Sequence, residues 1–302
     1  MGSIEIVPRG PFSLAAAQDF AGRFPAGIGG GGVSKASITL AFPVEGTDES
    51  AAIELWQDDD GVVRGRSDAI GDLLDRAIRQ AARSLSLDHD GIGWPAVGER
   101  DPVVGAAQAE LHHLRPVCFY SAYEAATGFV IGQRIARRQA AVIKRELAAQ
   151  LGDRPTIAGT EVPAFPRPER LLELREVRGL SAKKVDWLHG LARATLDGTL
   201  DTDRLRSLPP EVALEQLRAL PGIGPFTANG VLYRGCGHAD GIPNGDEVGR
   251  DVMGTLYGID PVTPADVTRI SDAWAPYRMW AVVLLRVTWG RRQPGPVSYR
   301  RS

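Results

Sequence analysis

Only two cysteines, Cys118 and Cys236, occur in 302 residues. Two thiols cannot build a disulfide framework, a four-thiolate zinc site or a four-cysteine iron–sulfur cluster. Lysine is scarce as well, at positions 35, 144, 183 and 184, which leaves few amines for nucleophilic chemistry. No run approaches the ~18 apolar residues of a membrane-spanning helix, so no membrane association is expected. The opening MGSIEIVPRGPF has no basic flank followed by an apolar stretch. No secretory signal is therefore expected, and a reducing cytoplasm is the default compartment. Internal repeats are absent, and the only low-complexity tract is the glycine run at 29–32. That run precedes Lys35 but lacks the G-x-x-x-x-G-K-[ST] order of a phosphate loop, and it reads as a connector.

What is present is ordinary for a globular chain: 43% hydrophobic and 24% charged residues. At ~150 residues per domain the length allows one large or two medium domains. A net charge of −2 hides an asymmetry. Residues 1–103 carry nine basic against sixteen acidic side chains, and residues 104–302 carry 26 against 21. A polyanion would bind the second part, although ordinary surface charge explains the same numbers.

The first hundred residues read as an α+β unit. Ser13 can cap a helix over 14–24. Strands are expected at 36–44, 51–57 and 62–66, the last two joined by a turn at 58–61. An amphipathic helix is expected over 70–85, with Leu73, Leu74, Ala77, Ile78 and Ala81 at three- and four-residue steps. The Gly/Pro-rich stretch 91–101 reads as a linker between domains 1–100 and 101–302. Helices are then expected at 103–114, 120–131, 136–151, 167–174, 181–196, 210–219, 226–235, 246–256, 263–273 and 278–287.

The informative motif is LPGIG at 220–224. Two glycines separated by one apolar residue, between two helices, describe a tight helical hairpin. Its glycines permit unusual backbone angles and leave amides uncovered at a helix N-terminus, where an anion such as a DNA phosphate is favoured. A helical corner without any ligand fits the same residues. Downstream lies IPNGDEVGRDV, a turn followed by Asp246, which taken alone is a helix N-cap.

These two features, at this spacing and within a helical region, resemble the helix-hairpin-helix DNA glycosylase superfamily. FVIGQRIARRQA (129–140), the segment 165–192 and AWAPYRMWAVVLLRV (273–287) resemble further parts of it. The nearest resemblance is to the bacterial 3-methyladenine DNA glycosylases II. It implies an N-terminal α+β domain, an antiparallel sheet with helices like half of a TATA-binding protein. It implies, after that domain, an all-α helix-hairpin-helix region of two subdomains around an active-site cleft. It also implies a monofunctional enzyme, expected as a monomer, that hydrolyses the N-glycosidic bond of alkylated purines in double-stranded DNA.

Asp246 is the carboxylate that the resemblance makes catalytic. Cleavage gives the sugar oxocarbenium character, and a fixed negative charge stabilises it. An alkylated purine that is already cationic leaves as a neutral base, so one carboxylate suffices. Lyase members of the superfamily carry a lysine two residues after the second hairpin glycine. Phe226 stands there, so no strand cleavage is expected.

DNA contacts are implied for Gly222, Ile223, Gly224 and Thr227, and for the turn at Gln133 and Arg134, from which relatives insert an apolar wedge. Ile135 could take that role, or Arg134 could simply join the basic stretch with Arg137 and Arg138. Relatives place aromatic rings at three pocket positions that read Phe226, Gly230 and Arg286 here. One ring is kept, Gly230 is expected to open space, and Arg286 brings a cation. Tyr123, Phe129 and Trp280 could supply other rings or belong to the core.

A monovalent cation on the backbone carbonyls of Arg218, Leu220 and Ile223 is a further implication, and no cofactor is required. The histidines show no metal-ligand spacing. Two other readings remain: a damage-binding protein without turnover, and a glycosylase for a deaminated or oxidised base.

Overall fold

A computed structural model describes residues 2–23, 37–243 and 247–292. The glycine run at 29–32, Lys35 and Asp246 lie outside the described residues.

The N-terminal part contains β1 (Gly2–Ile6), α1 (Leu14–Arg23), β2 (Ser37–Pro43), β3 (Ser50–Gln57), β4 (Val63–Ser67) and α2 (Gly71–Ser84). The four strands form one antiparallel sheet in the order β1-β4-β3-β2. Ser13 caps α1, its hydroxyl accepting from the Ala16 amide at 3.1 Å. β1 was not foreseen. It pairs Gly2 with Ser67 and Ile6 with Val63, and its five residues bury only Ile4 fully, so its alternation is too short to read.

The stretch 91–101 is not an open linker. It contains α3 (Trp94–Arg100), with Trp94 and Val97 buried. Proline at the second helical position suits a helix start, and the burial of Trp94 against Tyr277 and Trp280 is a tertiary effect that composition cannot show.

Helices follow: α4 (Pro102–Glu110), α5 (Ala122–Gly132) and α6 (Arg137–Leu151). A small hairpin, β5 (Thr156–Ile157) with β6 (Thr160–Glu161), interrupts the expected all-helical run. It covers the second face of the sheet, where Ala41 and Ala52 pack with Ile157, Val162 and Ala164. Next come α7 (Pro168–Leu171), α8 (Ala182–Leu196), α9 (Thr202–Ser207), α10 (Pro210–Arg218) and α11 (Pro225–Gly230). A π turn over Val231–Gly235 continues α11. The chain closes with α12 (Glu247–Tyr257), α13 (Pro264–Ser271), a 3₁₀ turn (Asp272–Trp274) and α14 (Arg278–Arg292). No helix among the described residues is long and apolar enough to cross a membrane.

One continuous apolar core runs from Ile4 in the sheet to Val287 in α14. Two buried arginines stitch the sheet unit to the helices. Arg115 is 0% exposed and donates to the carbonyls of Pro11, Ser86, His89 and Arg9 at 2.6–3.3 Å. Its guanidinium lies 5.3 Å from the Trp280 ring centroid. Arg83 pairs with Glu45 and donates to the Tyr120 carbonyl at 3.1 Å. Both charges are tolerated inside because the planar donor fork finds fixed acceptors.

Asp101 acts similarly with the opposite sign. It caps α4 through the Val103 and Val104 amides and accepts from Tyr257 Oη at 2.6 Å and Trp274 Nε1 at 2.7 Å. This places the C-terminal end of α12 against α4.

Candidate active site

The hairpin forms as its sequence suggests. α10 ends at Arg218 and α11 begins at Pro225. The Ile223 amide donates to the Leu220 carbonyl at 3.2 Å, closing the turn. Gly222 has φ +75°, a left-handed conformation that costs other residues ~1–2 kcal/mol. A Cβ there would also lie 2.8 Å from the Trp187 ring. Gly224 differs, because a Cβ would meet nothing within 4 Å. The second glycine therefore keeps open space on the outer side of the hairpin. Ile223 and Thr227 turn their side chains inward, at 6% and 5% exposure. Their expected DNA contacts are thus confined to backbone atoms.

The 132–134 turn lies against this hairpin. Gln133 Nε2 donates to the Gly222 carbonyl at 2.7 Å, which joins two segments 89 residues apart. Arg134 has φ +56° and is exposed at the tip. Ile135 instead packs against the core, so Arg134 is the side chain that projects.

α5 and α6 are pinned to each other by Glu124 and Lys144, 3.5 Å apart and both nearly buried. Lys144 Nζ also lies 5.5 Å from the Phe119 ring centroid and 6.0 Å from that of Phe165. Burial pushes the Glu124 carboxyl up to about 7, with the lysine opposing the shift.

The aromatic residues separate into two groups. Phe226 is 55% exposed and meets Phe129 edge-on at 6.1 Å. The expected space at Gly230 is filled: a Cβ there would lie 2.4 Å from the Phe129 ring. The ring comes from α5, so inspection of α11 alone could not reveal it. Phe226 and Phe129 thus form an aromatic corner beside the hairpin.

Tyr123 and Trp280 belong elsewhere. Tyr123 is buried and donates its hydroxyl to the Pro166 carbonyl at 2.9 Å. Trp280 is 1% exposed and is stacked among Trp94, Tyr277 and Arg115. Both are core residues held by aromatic packing, and the polar tip of Tyr123 is satisfied.

Arg286 is half-buried and lines a cavity of about 500 Å³ with Pro243, Arg250, Met253, Trp274 and Val282. Neither Phe226 nor Phe129 lines it. Phe226 and Gly230 face Phe129, while Arg286 lies on the α12–α14 side. That cavity reaches Pro243, the last described residue before Asn244 and Asp246.

Among the described residues, no three His, Cys, Asp or Glu side chains are grouped to hold a metal ion. His189 and His89 each bond a backbone carbonyl, of Leu174 at 2.9 Å and Gly237 at 2.7 Å.

Sequence reasoning missed Lys184. Its Nζ donates to the carbonyls of Ile131 at 2.9 Å and Gln133 at 2.6 Å. No local spacing links α8 to the end of α5, and the scarcity of lysine was the only available signal.

No protein-family profile matches the chain. It is 25% identical over 213 residues to a DNA-3-methyladenine glycosylase of Bacillus subtilis, covering 67% of this chain and 68% of that protein. It is 29% identical over 194 residues to DNA-3-methyladenine glycosylase 2 of Escherichia coli, covering 62% and 64% respectively. Among solved structures, a 3-methyladenine DNA-glycosylase from Archaeoglobus fulgidus superimposes with a TM-score of 0.78 at 18% identity, over 96% of this chain and 98% of that one. The alignments with the two bacterial relatives thus span about two thirds of each. With its hairpin, its turn and this whole-chain superposition, the chain has the fold of the helix-hairpin-helix DNA glycosylase superfamily and resembles 3-methyladenine DNA glycosylase II.

Proposed function

We propose that the protein is a DNA glycosylase that hydrolyses the N-glycosidic bond of alkylated purines of the 3-methyladenine and 7-methylguanine type. The observation that carries this reading is the Gln133–Gly222 hydrogen bond. It fixes an exposed arginine turn beside a glycine hairpin, in a chain whose relatives bear the name DNA-3-methyladenine glycosylase.

In this proposal the hairpin backbone at Gly222–Gly224 holds a DNA phosphate. Arg134 fills the gap left when the damaged nucleotide leaves the stack. The Phe226–Phe129 corner offers a ring to the extruded base, and an electron-poor cationic purine favours such a ring. Asp246 directly precedes α12, and a helix N-terminus keeps a carboxylate ionised. Its charge stabilises the oxocarbenium-like sugar as the bond from C1′ to the base nitrogen breaks. The electron pair of that bond neutralises the cationic base. Water adds its oxygen to C1′ and yields its proton to the carboxylate or to solvent.

We also propose that no lyase step follows. Phe226 offers no amine, and Lys184 is engaged by two carbonyls. A monovalent cation would find carbonyl oxygens at Arg218, Leu220 and Ile223. Leu220 already accepts one hydrogen bond, at 3.2 Å, and keeps its second lone pair.

The test is to incubate methylated duplex DNA with the protein and measure free bases by chromatography. Release of 3-methyladenine and 7-methylguanine is expected. Retention of both bases on the DNA would reject the enzyme and leave a damage-binding protein. Borohydride should trap no covalent protein–DNA adduct.

A further inference from the structure

The turn that presents Arg134 is poorly held by its own backbone. Its two internal hydrogen bonds, Gln133 amide to Val130 carbonyl and Ile135 amide to Gly132 carbonyl, are both 3.4 Å long. Arg134 nevertheless occupies a left-handed conformation at φ +56°. Such a conformation persists in a non-glycine residue only where the surroundings over-determine it. Here the determinants come from outside the turn. Lys184 bonds the carbonyls of Ile131 and Gln133 at 2.9 and 2.6 Å, and the Gln133 side chain bonds Gly222 at 2.7 Å.

Ile131 lies in the last turn of α5, where carbonyls lack helical partners and a cation is favoured. Lys184 belongs to α8, whose same face also touches the hairpin. Trp187 lies under Gly222, and Gly190 admits Pro221, since a Cβ at 190 would come within 2.4 Å of that ring. Positions 184, 187 and 190 are three residues apart, or about 4.5 Å of helix rise per step. α8 therefore spaces the turn and the hairpin along a single rigid element.

We propose that Lys184 is a positioning residue that locks the Gln133–Arg134 turn in register with the hairpin, so that seating the DNA backbone on the hairpin delivers Arg134 to the base stack. Lys184 touches no DNA itself. It acts through the two carbonyls that set the direction of the turn. The inference rests on reading this turn as the wedge of a glycosylase.

The experiment uses the full chain with Lys184→Met, which keeps side-chain length and removes the donors. It compares single-turnover base release from methylated duplex and methylated single-stranded DNA. It also measures 2-aminopurine fluorescence next to an abasic-site analogue in duplex, a readout of unstacking that requires no catalysis. Displacing a positioning element by about an ångström costs up to ~100-fold in rate. Duplex excision is expected to fall at least about tenfold, and the fluorescence rise of the wild type should be lost. Release from single strands, which need no wedge, should stay within about twofold.

Gln133→Leu cuts the other tie and should lower duplex excision and the fluorescence rise as well, so the inference remains testable if Lys184→Met folds poorly. Wild-type fluorescence and duplex activity in both variants would overturn it. Equal loss on duplex and single strands would overturn it too, by showing a general structural role. If the wild type raises 2-aminopurine fluorescence but releases no base, the catalytic reading fails while the role of Lys184 still stands on the fluorescence comparison.

Discussion

Cationic side chains are used in two opposite ways in the sheet–helix junction and in the hairpin–turn surface. At the junction, Arg115 is buried and donates four hydrogen bonds to carbonyls, and Arg83 is held by Glu45, Asp203 and the Tyr120 carbonyl. At the surface, Lys184 is half-buried with two carbonyl acceptors, while Arg134 projects beside it. A cation whose charge is met by acceptors within the fold serves stability. One held so that its neighbour remains exposed serves presentation of that neighbour. Net charge cannot separate the two uses.

The comparison predicts that activity and stability are separable, and the largest effect should come from the catalytic side. Asp246→Asn is expected to lower single-turnover base release by ~10²–10³, with duplex affinity within a few-fold and an unchanged melting temperature. Near-normal excision by this variant would remove Asp246 from the mechanism.

Arg115→Ala should show the converse. Removing a buried cation strands several carbonyls and opens a cavity beside Trp280, at a cost of about 3 kcal/mol or more. Thermal or urea unfolding should report that loss, while activity per folded molecule stays close to wild type. A stable variant without activity would mean that the junction takes part in catalysis.

Gly222→Ala tests the surface more gently. A methyl group there meets Trp187 and strains a left-handed residue, at about 1–2 kcal/mol. Binding to damaged and undamaged duplexes should weaken alike, and each lost phosphate contact should flatten the salt dependence by roughly one unit of slope. Altered lesion preference with unchanged affinity would contradict a phosphate role.

The smallest effect concerns Glu124 in the first turn of α5. Its carboxyl is raised from its usual 4.5 to about 7 by burial, so the folded protein prefers the protonated form more strongly than the unfolded chain does. This contribution to stability is complete below about pH 4.5 and is lost as pH rises through about 7. Stability measured against pH for wild type and Glu124→Gln should converge at low pH. As pH rises to 8, the wild type should lose stability relative to the variant. Parallel curves across that range would show that the carboxyl is not shifted.

Much of this was legible in the sequence because it is local. The hairpin glycines, the helix periods and the exposed turn at 132–134 depend on residues within a few positions of one another. What escaped depends on distant residues. Trp94 turns a Gly/Pro-rich stretch into a helix because Tyr277 and Trp280 wait for it. Gly230 seemed to open space, yet Phe129 from α5 fills it. Trp280 could have been pocket or core by composition, and only its burial decides. Lys184 reaches carbonyls 51 and 53 residues away, beyond any motif. Phe129, Tyr123 and Trp280 are equal candidates for a further ring by composition, and only the packing shows that Phe129 joins Phe226.

The π turn that continues α11 has a consequence for tolerance to insertion and deletion. The Cys236 amide reaches back five residues to the Val231 carbonyl at 2.9 Å, so this stretch holds one residue more than a regular α-helical path requires. Each residue of an α-helix turns the chain by about 100°. Deleting one residue between 231 and 235 would relax the bulge into ordinary helix without breaking the rod. Because the bulge closes its turn with that extra residue, the deletion would leave Phe226 and the hairpin close to their present aim. The bulge works as a slack step: losing one residue here is absorbed, whereas losing one from the regular part of α11 would rotate the hairpin by about 100°.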